Sequence, residues 1–203
     1  MIVVLGRPGL GRPAGVGPDA LATEELDGRV ARIGLAAAAA GGSVEIVGSI
    51  GDDVEGDRVV VLLGREGIGH AALLRDPAGR TAVAGQVREP APRLDAGDVD
   101  LGLRYLSEIS VLVLAEPLPP EAESVALGSA EYHAAPVTAI VPAGSTPSAR
   151  LAATATVFEA PDDAEGPFAA MVGRYAAALA NGVAPADAFT AATREGGWER
   201  AGE

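Results

Sequence analysis

Apolar residues recur along this chain with two periods, and the two alternate. Short, mostly apolar runs stop at Gly, Pro or acidic residues: IVVL at 2–5, VEIVGSI at 44–50, VLVLA at 111–115 and VTAIV at 137–141, with ATVFEAP at 155–161 giving a last strand. Such runs predict strands buried on both faces, as in a parallel sheet. Between them the period lengthens to that of a helix. DGRVARIGLAAAAAGG (27–42) has an Asp27 cap, an Ala-rich body and a Gly41-Gly42 stop. VEGDRVVVLLGRE (54–66) places Val59, Leu62 and Leu63 on one face before Gly67, and DAGDVDLGLRYLSEI (95–109) does the same with Val99, Leu103 and Leu106. EAESVALGSAEYH (121–133), a short SARLAAT (148–154), FAAMVGRYAAALANG (168–182) and PADAFTAATREGG (185–197) complete the helices. AALLRDPAGRTAVAGQV (71–87) carries a turn signal at Asp76-Pro77-Ala78-Gly79 between two apolar stretches and predicts a hairpin or an irregular strand pair. Strands alternating with helices in this way predict a three-layer α/β fold, a mostly parallel sheet with helices on both faces. No linker-like Pro/Ser/Gly run divides residues 1–203, so one domain is expected.

Composition narrows the function classes. Hydrophobic residues at 48% and charged residues at 21% suffice for a core, while aromatics at 3% leave it to Ala, Val and Leu. A net charge of -13 repels phosphate backbones and anionic lipid, so neither nucleic acid nor membrane is an expected partner. The absence of Cys excludes disulfides, thiol catalysis and Cys-based metal sites. The start MIVVLGRPG lacks a basic n-region, and no apolar run approaches ~18 residues, which gives a cytoplasmic reading. His70 and His133 have no acidic partner at metal spacing, so no metal is expected. No serine stands in a G-x-S-x-G context. The loop GRPGLGRPAGVGP (6–18) has Gly at phosphate-loop density but no Lys.

Four further blocks, in order, are IVGSIGDDVEG (46–56), LLGREGIG (62–69), LLRDPAGRTAVA (73–84) and, near the end, FAAMVGRYAAALANGVAPADAFTAAT (168–193). Together with DGRVAR (27–32) they resemble the ribokinase-like (PfkB) sugar and nucleoside kinases across most of the chain, the first block being the most specific. The resemblance implies a ribokinase-like fold, shortened, with the lid reduced to the loop at 6–18. It also implies a nucleotide-binding part cut down between VFEAPDD and the last helices.

The departures from the family pattern bear on activity. Where the family carries N-x-D after its first strand, this chain reads GLG, leaving Gly9 and Gly11 without sugar-gripping side chains. The family's substrate-contacting Asn falls at Arg32. Aligning Phe168 with the Phe of G-A-G-D-x-F turns the four signature positions into Asp163, Ala164, Glu165 and Gly166, so the base position falls at Gly166. A general base is worth about 10²–10⁴ in rate and an oxyanion donor ~2.7–4 kcal/mol. Their joint loss implies a catalytically degenerate member without a catalytic residue or cofactor, kept for ligand sensing or protein association. The alternative is a minimal ATP-dependent kinase acting on a sugar or nucleoside hydroxyl, using ATP and Mg2+, with Asp162 or Asp163 as a relocated base. The competing reading of Asp162, Asp163 and Glu165 is helix capping, with Pro167 removing one N–H at the helix start.

Gly11, Arg29, Arg32 and Asp52 are the candidate substrate-binding residues. Arg29 and Arg32 lie one helical turn apart near a helix start; they either bind an anionic small molecule or form a solvated pair facing acidic surface. Asp52, in Gly51-Asp52-Asp53 at the end of a strand, stands either where α/β sheets place ligands or in a turn that caps the next helix. A trimmed sheet exposes an edge or apolar face, which makes a homodimer or another protein partner an expectation.

Overall fold

The computed structural model describes residues 1–11, 25–161, 163 and 166–195. The elements, in chain order, are β1 (Ile2–Gly6), β2 (Gly9–Leu10), β3 (Leu26–Asp27), α1 (Gly28–Ala39), β4 (Val44–Gly51), α2 (Val54–Arg65), β5 (Leu73–Asp76) and α3 (Ala96–Arg104). Then come β6 (Val111–Leu114), α4 (Pro120–Tyr132), β7 (Val137–Pro142), α5 (Ala149–Thr154), β8 (Ala155–Ala160), α6 (Pro167–Ala180) and α7 (Pro185–Glu195). Six strands form one parallel sheet in the order β5-β4-β1-β6-β7-β8, and the short β2 and β3 pair antiparallel beside it.

The apolar runs of β1, β4, β6 and β7 are explained by burial on both faces, whereas β8, at the end of the sheet, is only part-buried. Along β1, Ile2 and Val4 enter one core with Ile46, Val113, Ile33 of α1 and Tyr175 of α6, whereas Val3 and Leu5 enter the other with Leu112, Val99 of α3 and Ala126 of α4. This is a three-layer α/β fold. Because aromatics are few, the helices come close on small residues. At Gly173 of α6, an added Cβ would stand 2.4 Å from the Ile33 carbonyl oxygen and 2.7 Å from the Ala36 Cβ, so only Gly lets α6 pack on α1 here.

Three acids cap helices as the sequence indicates: Asp27 accepts from the Gly28 amide, Asp53 from Gly56, and Asp95 from Gly97 and Asp98 in a capping box. The expected hairpin at 71–87 is not formed. Its turn exists, since Asp76 accepts from the Ala78 amide, but only the first arm joins the sheet, as β5 parallel to β4. The second arm runs to β2 instead, where Leu10 donates to the Ala82 carbonyl and Ala84 to that of Leu10. The fold prefers the unpaired edge of β2 to a return along β5. Within the Gly/Pro loop at 6–18, Gly9 and Leu10 are therefore strand; residues 12–18, assigned to a reduced lid, lie outside the described residues.

Candidate functional site

The chain runs from β1 to β4 and β5 on one side, then returns to place β6 on the other side of β1. At such a reversal the connections leave in opposite directions, and a crevice opens beyond the C-terminal ends of the two strands. Arg7, just past β1, and Glu116, just past β6, meet there: an Arg7 guanidinium nitrogen donates to Glu116 Oε1, and Arg7 Nε donates to the Pro92 carbonyl. Burial pushes the Glu116 carboxyl above its ordinary value, against the lowering pull of Arg7 and, more weakly, Arg29.

Beside this pair lies a cleft of about 410 Å3. Its polar wall consists of Arg7, Asp27, Arg29, Arg32 and Asp163, and its apolar wall includes Leu10, Ala82 and Val83. Asp27 Oδ1 serves two donors, accepting from the Gly28 amide at 2.7 Å and from Arg32 Nε at 2.6 Å. Arg32 also donates from a terminal nitrogen to the Asp163 backbone carbonyl at 3.3 Å. The Asp163 carboxylate turns toward α6, taking the Phe168 amide on Oδ1 and the Ala169 amide on Oδ2, each at 2.9 Å. Asp163 thus satisfies two of the N–H groups that a helix start leaves open. Arg29 makes no hydrogen bond or ion pair among the described residues.

No protein-family model matches this sequence, and no curated protein matches it. Solved structures do. A PfkB protein from Polaromonas sp. JS666 superposes with a TM-score of 0.67 at 13% identity, over 96% of this chain and 94% of that one. A putative ribokinase II from E. coli, in its apo form, gives 0.67 at 12% identity over 96% and 91%. Arabidopsis thaliana ribokinase complexed with ribose and ATP gives 0.62 at 13% identity over 94% and 89%. The fold is ribokinase-like.

On this ribokinase-like scaffold Arg32 and Gly166 touch. Gly166 precedes α6 with φ +83°, and a Cβ built on it would lie 2.6 Å from a terminal nitrogen of Arg32 and 2.7 Å from its Cδ. The Arg32 side chain therefore fills the space that a side chain at position 166 would occupy. Of the other sequence candidates, Arg29 lines the same cleft. Gly11 is not on its wall; its amide donates to the Glu25 carbonyl at the end of the β2–β3 ladder. Asp52 is exposed at the end of β4 beside Arg75, while its neighbour Asp53 caps α2. Asp162 and Glu165 lie outside the described residues.

Sequence reasoning missed Arg7, Asp27 as the partner of Arg32, and Glu116. Arg7 stands two residues past one predicted strand and Glu116 directly past another, but only the strand order shows that these two ends are adjacent. Among the described residues, no three His, Asp or Glu side chains cluster as metal ligands, and no helix is long and apolar enough to cross a membrane.

Proposed function

We propose that this ribokinase-like chain has lost phosphoryl transfer and keeps the cleft for binding a small molecule. The observation behind this reading is the contact between Arg32 and Gly166. Phosphoryl transfer requires an acceptor hydroxyl held against a base, with free donors facing the developing charge. At the start of α6, Gly166, where the sequence resemblance puts the base, has no side chain, and the space beside it holds an arginine. The nearby Asp163 carboxylate accepts two helix amides, which ties it to capping rather than proton abstraction and uses donors that an oxyanion would need. Asp27, the other acid on the wall, already pairs with Arg32.

The competing reading is an ATP-dependent kinase with a rearranged site. Two observations favour it: similar solved structures hold ATP, among them a fructokinase from Xylella fastidiosa and a putative ribokinase II with ATP and Mg2+, and the part-buried Glu116 carboxyl beside the cleft is shifted toward its protonated form. A coupled assay for ADP release with Mg2+ and ATP, run with ribose and fructose, decides between them. We expect no sugar-dependent ADP release above background. Turnover that depends on sugar and is lost in Glu116→Gln or Asp163→Asn would make the protein a kinase and identify the base.

Self-association is the second half of the proposal. Strand β8 closes one end of the sheet, and its sequence ATVFEA carries a single charge. An edge of that kind invites pairing with another strand.

A further inference from the structure

We infer that the ligand of this cleft is a small organic anion, a carboxylate or a phosphate ester, and that Arg29 rather than Arg32 receives its charge; the inference rests on reading the cleft as a binding site without transfer chemistry. The argument is an accounting of charges. Arg32 is held by the Asp27 carboxylate and the Asp163 carbonyl. Arg7 is held by Glu116 and the Pro92 carbonyl. The Asp163 carboxylate faces the amides of α6. Arg29 alone among the cleft's charged side chains has no hydrogen bond or ion pair with a described residue; the acid whose field it feels, Glu116, is already engaged by Arg7. Two guanidinium groups therefore share one carboxylate, and Glu116 is itself shifted toward neutrality.

The surroundings reinforce that local positive charge. Arg29 is the second residue of α1, whose first turn contains no acidic residue, although the chain as a whole carries a net charge of -13. By contrast, α2 opens with Glu55 and Asp57 in its first turn. A planar guanidinium with unused donors matches the paired oxygens of a carboxylate or phosphate better than any neutral hydroxyl does. The volume, about 410 Å3, falls at the small end of the ~300–1,000 Å3 usual for ligand pockets, and the Leu10, Ala82 and Val83 side favours a compact body behind the charged group.

The test uses the full chain in titration calorimetry with three probes: D-gluconate for the carboxylate, D-ribose 5-phosphate for the phosphate and neutral D-ribose as the control. At least one of the two anions should bind saturably below about 1 mM, more weakly as salt is added, and ribose should not. Which anion binds identifies the oxyanion class. Arg29→Ala should weaken that binding by roughly tenfold or more and Arg29→Lys by less, because Lys keeps the charge but not the fork. Arg104→Gln, which removes an exposed cation paired with Asp100 on α3, should leave binding unchanged and controls for net charge. Since Arg29 makes no hydrogen bond with the described fold, its variants should melt with the unmodified protein, and that melt is recorded beside each titration. The inference is overturned if neither anion binds, if ribose binds equally well, or if a folded Arg29→Ala binds like the unmodified chain. None of these outcomes depends on ADP release, so the binding claim and the loss of transfer chemistry stand or fall separately.

Discussion

Arg32 and Gly166 explain each other. A left-handed backbone at φ +83° favours Gly, and the 2.6 Å and 2.7 Å approaches to Arg32 exclude any side chain while that arginine stays on Asp27. Introducing aspartate at 166 sets attraction against strain. An opposite-charge pair at ~4 Å and an effective dielectric of ~20 attracts by about 4 kcal/mol before screening. That attraction is not a net gain, because the overlap reaches the Cδ of Arg32 and the arginine must leave Asp27 to form it. One ion pair replaces another, and the backbone strain remains. Gly166→Asp should therefore lower stability in urea unfolding by ~1–3 kcal/mol and bring no sugar-dependent ADP release. The double variant with Arg32→Ala should cost less than the sum of the two single changes, by ~0.5–3 kcal/mol. Strict additivity would mean that the two residues do not share the space described.

At the scale of elements, Asp53 joins more of the fold than the neighbouring Asp52. Its carboxylate caps α2 through the Gly56 amide at 2.8 Å, takes the Thr81 hydroxyl at 2.7 Å and amide at 3.0 Å, and pairs with Arg88 at 3.1 Å. The Thr81 hydroxyl also receives the Gly51 amide, so β4, α2 and the segment after β5 meet on one carboxylate. Burial pulls the Asp53 pKa upward, but the Thr81, Gly56 and Arg88 contacts outweigh it and hold the group below its ordinary 3.8. A depressed folded-state pKa adds stability that is present above the unfolded value and is lost as the pH falls through the folded one. Asp53→Asn should cost ~1–3 kcal/mol near pH 7, and the gap to the unmodified protein should narrow as the pH falls below the ordinary carboxylate range. A gap that stays constant with pH would show that packing, not ionisation, makes the contribution. The sequence displayed the strands, helices and caps because periodicity and capping are local: Asp27, Asp53 and Asp95 stand where the backbone beside them needs an acceptor. It hid the site because the site is assembled across the sheet. Arg7 and Glu116 are 109 residues apart, and Arg32 reaches a carbonyl 131 residues away. The hairpin misreading has the same origin, since the turn at Asp76 is local whereas the choice of β2 as partner for the second arm is not.

For the molecule as a whole, the two ends of the sheet are protected unequally. Strand β5 reads LLRD, and its Arg75 pairs with Asp52 and Asp57, so charge marks that edge. Strand β8 has Glu159 alone, no Pro and no basic residue, and Phe158 stacks on Phe189 of α7, itself 43% exposed. Natural edges usually carry Lys, Pro or a bulge against pairing. Among the described residues β8 has a strand on one side only, so pairing with a second copy would supply one on the other side and cover the adjacent Phe189. Opposing it, two chains of net charge -13 repel each other, an effect that salt screens over a Debye length of ~10 Å at 0.1 M and ~3 Å at 1 M. Association should therefore strengthen as salt is added, the reverse of the salt response expected of an anion on Arg29. Sedimentation equilibrium at low and high salt measures it, and Thr156→Lys, at an exposed position of β8, should return the protein to a monomer in both. An unmodified chain that stays monomeric at high salt, or a dimer indifferent to the Lys, would remove β8 as the contact.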